Sequence, residues 1–297
     1  PTGKQYKSIG LENTTCWQVM WSDANTMFSC FSDIKGVRST DAGASWGFKY
    51  TGHGANSMYR IAKAPNGTLY AGTSNIHDMY QSTRLADAQL NANDAYGKVI
   101  YSTDNGASWK DIKNFGHPVF WVALDPNNPN TLYASVIHST QGGIYITKHL
   151  QDGAGATWTK LPAPPRTEGH PASIVVLNDG YVVCTYSGHR NPDFTASSGC
   201  FLYNPTNNTW ADVSDNGMKY WTKDIVIDPN DPSQNTWLVG VFSGWKIPAA
   251  VGVGGLYRTT NRGQSWTRIW KSDRVTSCTF NPANPAEMYV TTEVEGL

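Results

Sequence analysis

The sequence predicts an all-β chain folded as a β-propeller of four-stranded antiparallel blades. Three observations predict it. Tryptophans at 46, 109, 158, 210 and 266 recur about every 50 to 60 residues, a spacing that marks a repeat architecture. A shared phrase precedes three of them: STDAGASW ending at Trp46, STDNGASW ending at Trp109 and TTNRGQSW ending at Trp266. Between these corners the chain breaks into short apolar runs separated by Pro, Asn, Asp and Gly, residues that preset turn dihedrals.

The blades follow in order, at about 13–50, 57–113, 117–161, 170–213 and 220–270. The third shows the pattern most plainly. Val119 to Leu124 is an apolar strand closed by the turn Asp125-Pro126-Asn127-Asn128-Pro129; Thr131 to Val136, Gly143 to Thr147 and Thr157 to Leu161 follow. Four such strands per repeat define a propeller blade. A partial sixth blade, 275–297, opens with Val275 to Phe280 and Met288 to Thr292. The opening segment within 1–12, Gln5 to Ile9, reads as an outer strand that completes the last blade. The expectation is one propeller domain over 1–297, six- or seven-bladed, with five blades complete and one partial. The chain starts at Pro1 and reads as a piece of a longer one.

Composition narrows the partner. Lys plus Arg and Asp plus Glu both total 23, and no basic run is present, which argues against nucleic acid. Charged residues make up 15% and aromatics 12%, a balance that suits a neutral glycan or polysaccharide. No segment reaches the roughly 18 apolar residues of a membrane span. Cys16 and Cys30 flank the turn Ser22 to Asn25, and Cys184 and Cys200 bracket a loop. Two cross-strand disulfides are therefore expected, and with them a secreted, extracellular or periplasmic location; five free thiols are the other possibility. Cys278 is left over in either case. No cofactor is required, and the metal content and oligomeric state are left open.

The Ser-x-Asp-x-Gly-x-x-Trp phrase resembles the Asp-box, or bacterial neuraminidase repeat. Sialidases, tandem-propeller xyloglucanases, sortilin-type receptors and photosystem assembly factors share it. The resemblance implies the propeller and leaves enzyme and binder equally open. Asp41, Asp104 and Asn261 hold the same place in three copies. Repetition points to scaffolding: an acceptor for its own turn, a glycine that permits positive φ, and a tryptophan packed between blades.

Alternating strand direction puts the tryptophan corners on one face. The opposite face gathers the loops between second and third strands and the links between blades. Six of the seven histidines fall there: His53, His117 and His170, each after a glycine, and His77, His138 and His189. The Gly-His pairs are also suited to bracing neighbouring strands. The blade 2 loop, Asn75 to Tyr96, carries His77, Asp78, Tyr80, Arg84 and Asp87; blade 4 contributes His189 and Arg190. Tyr220, Trp221 and Trp245, with Tyr80, are candidate stacking platforms for sugar rings.

Two acids stand out on that face. Ser32-Asp33-Ile34-Lys35-Gly36-Val37 and Thr292-Glu293-Val294-Glu295-Gly296-Leu297 share the pattern acid, β-branched, any, Gly, apolar. Asp33 and Glu293 are therefore expected at equivalent places, as an acid/base pair for glycoside cleavage. A separation of about 6.5–9.5 Å suits inversion and about 5–5.5 Å suits retention. The Asp33 stretch with Arg38 resembles Thr-Asp-Ile-Gly-Gly-Ala-Tyr-Arg, which carries the catalytic base of xyloglucan-cleaving tandem propellers. Lys35 replaces a Gly of that pattern, and the family's partner acid comes from a second propeller, so only Asp33 is carried over. Met58-Tyr59-Arg60-Ile61-Ala62 resembles the Arg-Ile-Pro opening of sialidases, which implies a carboxylate-binding Arg60. Three readings follow: a secreted glycoside hydrolase, a non-catalytic carbohydrate-binding or assembly propeller, and a polysaccharide lyase using His, Arg190, Tyr186 and Gln141.

Overall fold

The computed structural model of the chain describes residues 9–10, 14–77, 86–87, 90, 96–188, 195–218, 221–243 and 252–293. Its sheets follow the repeat. Blade 1 holds β1 (Cys16–Trp21), β2 (Met27–Phe31) and β3 (Gly36–Ser39), with a fourth strand reduced to the Arg38–Gly47 bridge. Blade 2 holds β4 (Ser57–Lys63), β5 (Leu69–Ser74), β6 (Lys98–Ser102) and β7 (Lys110–Asn114). Blade 3 is β8 (Val119–Asp125), β9 (Asn128–Val136), β10 (Gly143–Thr147) and β11 (Thr159–Lys160). In blade 4 stand β12 (Pro171–Val176), β13 (Val182–Tyr186), β14 (Gly199–Asn204) and β15 (Thr209–Asp212). Blade 5 comprises β16 (Trp221–Ile227), β17 (Trp237–Phe242), β18 (Gly255–Thr259) and β19 (Thr267–Lys271). A hairpin of β20 (Val275–Asn281) and β21 (Asn284–Thr292) packs on blade 5. The described residues thus form five antiparallel blades and this hairpin.

Burial explains the order. The second strands β2, β5, β13 and β17 are buried at every residue; β5 and β13 have a blade packed on each side, β17 has blade 4 and the hairpin, and β2 has blade 2. The outermost strands β7, β15 and β19 are mostly exposed. The core is a series of layers between blades, as where Val183 and Cys200 of blade 4 meet Trp237, Val239 and Tyr257 of blade 5.

Each innermost strand carries a bulge at the same level. Register slips between Cys16 and Gln18, Met58 and Arg60, Val119 and Trp121, Pro171 and Ile174, Thr222 and Ile225, and Val275 and Ser277. A bulge leaves one residue unpaired and re-aims its side chain. Here the freed aromatics converge: Trp17 packs edge-on against Tyr59 and Phe120, at ring separations of 5.8 and 5.0 Å, and Ala172 joins the cluster.

Polar side chains beside these bulges tie one blade to the next. Gln18 accepts from the Ile61 amide at 2.7 Å and donates to the Ile61 carbonyl at 3.1 Å. The Trp121 indole donates to the Ile174 carbonyl at 3.0 Å. Ser173 accepts from the Ile225 amide at 2.9 Å and donates to the Lys223 carbonyl at 3.2 Å. Close approach also demands glycine in two second strands. A Cβ at Gly72 would lie 2.7 Å from the Val119 carbonyl oxygen, and one at Gly240 would lie 2.6 Å from that of Val275.

The tryptophan corners are built alike. Asp41 accepts from the Ser39 hydroxyl at 2.7 Å and the Ser45 amide at 2.8 Å. Asp104 does the same with Ser102 and Ser108, and Asn261 with Thr259 and Ser265. Hydrogen bonds from Ser45 and Ser39 pull the Asp41 carboxyl down to about 2. Both residues after the acceptor are left-handed, at φ 56° and 87° for Ala42 and Gly43. Trp266 donates to the Val213 carbonyl of the preceding blade at 2.7 Å.

One expectation is corrected. All five cysteines are free thiols. Cys184 pairs with Phe201 and Cys200 with Thr185, so the two thiols sit one register step apart and enter different core layers. Likewise Cys30 pairs with Gln18, while Cys16 pairs with Phe31 and bonds the Ser29 hydroxyl. Successive strand residues face opposite ways, so neither pair aligns for a disulfide. Of the expected closing strand, Gln5 to Ile9, only Ile9 is described, and its carbonyl accepts from the Trp46 amide of blade 1 at 2.7 Å; residues 1–8 lie outside the described ones.

Candidate functional site

The innermost strands of blades 1 to 5 and the hairpin surround a channel of about 830 Å³. Trp17, Tyr59, Phe120 and Lys223 line it at the bulges, with Gln18, Arg60, Trp121 and Asp224 beside them. The Trp17 indole donates to the Ser32 hydroxyl at 2.8 Å. That bond carries the channel lining to the base of the Asp33 loop.

Asp33 is 29% exposed at its side chain and has φ 67°; Lys35 follows at φ 68°. Left-handed backbone comes easily to Asp but not to Lys, and such strain costs about 1–3 kcal/mol per residue. Neighbouring blade 2 holds the loop in place. The Asp33 amide donates to Ser57 Oγ at 3.1 Å, the Lys35 amide to the Asn56 carbonyl at 2.7 Å, and the Met58 amide to the Lys35 carbonyl at 3.2 Å. The Asn56 side-chain amide donates to the Asp33 carboxylate at 2.9 Å, and His77 Nδ1 stands 3.8 Å from it. Asp33 is thus a fixed, partly exposed carboxylate held by Asn56, with a histidine beside it.

Glu293 follows β21, and its side chain is 18% exposed. Its amide donates to the Arg274 carbonyl, as the Ser32 amide donates to that of Thr15. With Thr292 opposite Val275 and Phe31 opposite Cys16, Glu293 is the counterpart of Ser32, one step before Asp33. The shared acid-to-Gly spacing misaligns the two by one residue. Burial raises the Glu293 carboxyl above the usual range, opposed by Lys223 and by Arg274, whose guanidinium lies 3.4 Å away. Lys223 lies over the Trp17 ring at 4.5 Å, and Trp17 in turn bonds the Ser32 hydroxyl at the base of the Asp33 loop; Glu293 acts on Lys223 electrostatically.

The other site residues fall in three groups. Arg60 lies in the channel with its guanidinium 3.9 Å over Trp121. Trp221 is only 3% exposed, packed on Phe242, so it offers no open platform for a sugar. Tyr186 is buried against Phe201, which removes it as an accessible base for the lyase reading. His138 joins a cluster. It stacks on His117 at 4.3 Å and stands 3.8 Å from Asp87, which is 4.0 Å from the buried His170. His170, and then the Ser139 hydroxyl and amide, hold the Asp87 carboxyl well below the usual range. Gln141 shares a hydrogen bond with His117 at 3.0 Å. Asp78, Tyr80, His189, Arg190, Tyr220 and Trp245 lie outside the described residues.

Sequence reading passed over Trp17, Gln18, Asn56 and Lys223. A signal for the first existed: Cys16-Trp17-Gln18, Met58-Tyr59-Arg60 and Val119-Phe120-Trp121 each place an aromatic second in an innermost-strand triplet. Among the described residues no group of three His, Cys, Asp or Glu side chains is arranged to hold a metal, and no helix is long and apolar enough to cross a membrane.

Against known proteins, the likeness is to xyloglucanases. A Paenibacillus sp. xyloglucanase is 26% identical over 276 residues, covering 80% of this chain and 24% of its own length. A xyloglucanase of Hypocrea jecorina is 23% identical over 251 residues, covering 79% of this chain and 29% of its own. The chain therefore spans about a quarter of the length of these relatives. The crystal structure of the GH74 enzyme of Niastella koreensis superposes with a TM-score of 0.64 at 19% identity, over 90% of this chain and 42% of that one. No family model matches the chain.

Proposed function

We propose that this chain is the propeller part of a secreted glycoside hydrolase acting on a polysaccharide, with a xyloglucan-like β-glucan as substrate. One observation carries the reading. Asp33, in the phrase that resembles the catalytic-base stretch of xyloglucanases, is a partly exposed carboxylate fixed by a neighbouring blade, in the loop between a second and a third strand. The xyloglucanase relatives support the substrate class.

In this reading Asp33 takes the proton from the attacking water, with the Asn56 amide holding the carboxylate in orientation. Glu293, biased towards its protonated form by burial, serves the leaving oxygen. General acid–base pairs of this kind depend on two carboxyls whose surroundings push their proton affinities apart. We also infer that the hairpin opens a sixth blade of a six- or seven-bladed ring. Val19 and Trp21 of β1 and Tyr289 of β21 are exposed apolar residues that border the channel, as faces awaiting a neighbouring blade would be.

The test is product analysis on a panel of plant, algal and bacterial polysaccharides. New reducing ends without ultraviolet-absorbing unsaturated ends are expected, most abundantly from xyloglucan. Unsaturated ends would identify a lyase, and saturable glycan binding with no product would identify a binding propeller.

A further inference from the structure

A second cavity, of about 350 Å³, opens between blades 3 and 4 at the tryptophan-corner end of the strands, the end opposite the Asp33 loop. Its origin is local. Phe28 of β2 pairs with Arg38, one step along from Met27 and Ser39. Tyr133 of β9 holds the same place in blade 3, pairing with Ile146 one step along from Leu132 and Thr147. Over Phe28 the next blade lays its corner so closely that a Cβ at Gly106 would strike the ring. The corner of blade 4 is shorter. Its third and fourth strands join by the turn between Asn204 and Thr209, and a cavity remains beside Tyr133.

Tyr133 is 4% exposed, yet its hydroxyl forms no hydrogen bond among the described residues. The Tyr203 phenol in the same cavity, by contrast, donates to Asn208 Oδ1 at 2.6 Å. A buried phenol normally has a partner, so a hydroxyl without one at a cavity wall points to a partner from outside the chain. Groups that one ligand can reach surround it. Tyr133, Ile146 and Thr159 pair across β9, β10 and β11, so their side chains share one face. With neighbouring strands about 4.8 Å apart, Tyr133 and Thr159 stand about 10 Å apart at the backbone, one small ring's width once the side chains project inward. Thr157 adds a hydroxyl at the mouth, and Leu161, Tyr203 and Pro205 supply an apolar wall.

The electrostatics favour an uncharged ligand. Burial, and then the Asp125 carboxylate, push the Tyr133 phenol up, so it stays protonated and able to donate. The same negative field opposes an anion beside it. At the mouth Lys148 is exposed to water, and His149 lies 3.9 Å from Asp152, which offsets its charge when protonated.

We propose that this cavity binds one neutral pyranose residue of a glycan, with its hydroxyls on Tyr133, Thr157 and Thr159 and its C–H face on the apolar wall. Sugar hydroxyls both donate and accept, as do the phenol and threonine hydroxyls that meet them. The volume of about 350 Å³ lies at the small end of the range for ligand sites, which suits a single ring. The site is remote from Asp33 and binds whether or not the chain cleaves a polysaccharide.

The test is a ligand-observed NMR titration of the whole protein with methyl β-D-glucopyranoside and methyl β-D-xylopyranoside, with sodium benzoate as the comparison arm. Saturable binding of at least one glycoside is expected, with a dissociation constant on the order of 1 mM for so small a ligand. Benzoate, an aromatic anion without hydroxyls, should bind more weakly. Tyr133→Phe removes one hydroxyl and no hydrogen bond within the protein. It should weaken the glycoside about fivefold, the worth of one hydrogen bond, while its melting midpoint stays at or above that of the wild type. A structural role for the hydroxyl would lower the midpoint instead. Thr159→Val should weaken binding about threefold, and Asp33→Asn should leave it unchanged, which separates this site from the proposed catalytic one. No saturable binding of either glycoside, benzoate binding as tightly, unchanged affinity or a lowered midpoint in Tyr133→Phe, or loss of binding in Asp33→Asn would each overturn the proposal.

Discussion

Gln18 tests how the blades are joined. Its side-chain amide engages both backbone groups of Ile61, at 2.7 and 3.1 Å, and so acts as a short strand edge for β4. Gln18→Met keeps length and volume but removes both bonds. Each unpaired backbone group then costs about 1–3 kcal/mol if kept from water. Gln18 is only half-buried and borders the channel, so water recovers part of the loss. The net expectation is a destabilisation of about 2–3 kcal/mol, a fall in melting midpoint of about 4–10 °C for a chain of this size. Urea and thermal denaturation of the two proteins measure it. A Gln18→Met protein within about 0.5 kcal/mol of the wild type would refute the bracing argument.

Four further outcomes are expected. Burial pulls the His53 imidazole down to about 4 from its usual 6.5; the unfolded chain takes up that proton first, so stability is full above about pH 6.5 and drains as pH falls towards 4. His53→Phe should flatten this part of a urea-midpoint profile against pH. Glu293 has the opposite sign: its raised carboxyl favours the folded state below the ordinary glutamate range, and the benefit is lost as pH rises through the folded value. Glu293→Gln should therefore gain in melting midpoint over the wild type on going from pH 4 to pH 8, and a constant difference would contradict the assignment. Alkylation in denaturant without reductant should label all five cysteines, whereas two disulfides would leave one labelled. Gly240→Ala, with its Cβ 2.6 Å from the Val275 carbonyl oxygen, should cost about 1–3 kcal/mol by overpacking, read from the urea midpoint.

The blades were legible because their joints are made by residues with one conformational purpose. Pro and Asn at 126–129 and the paired left-handed residues after Asp41, Asp104 and Asn261 bend the chain for local reasons that composition records. The bulges were not legible in the same way. Trp17, Tyr59 and Phe120 are aromatic but Ala172, Lys223 and Thr276 are not; what all six share is a register slip set by a neighbouring strand. Two misses are one-residue register errors of this kind. Cys184 and Cys200 bracket a loop symmetrically in sequence yet enter different layers, and Glu293 matches Asp33 by pattern but Ser32 by hydrogen bonding. Asp33 itself was legible as a lone acid outside the repeated corner. The blade 2 residues that fix it, Asn56 at the end of the link and Ser57 at the start of β4, carry no motif.

The division between faces is tested most directly by comparing kcat/KM on xyloglucan for the wild type, Asp33→Asn and Asp104→Asn, below the melting point of all three. Loss of at least 100-fold is expected for Asp33→Asn, the usual scale for removing a general base. Asp104→Asn, at a tryptophan corner, should stay within about threefold, a corner acceptor acting on stability alone. Full activity in Asp33→Asn, or equal losses in both variants, would contradict the account.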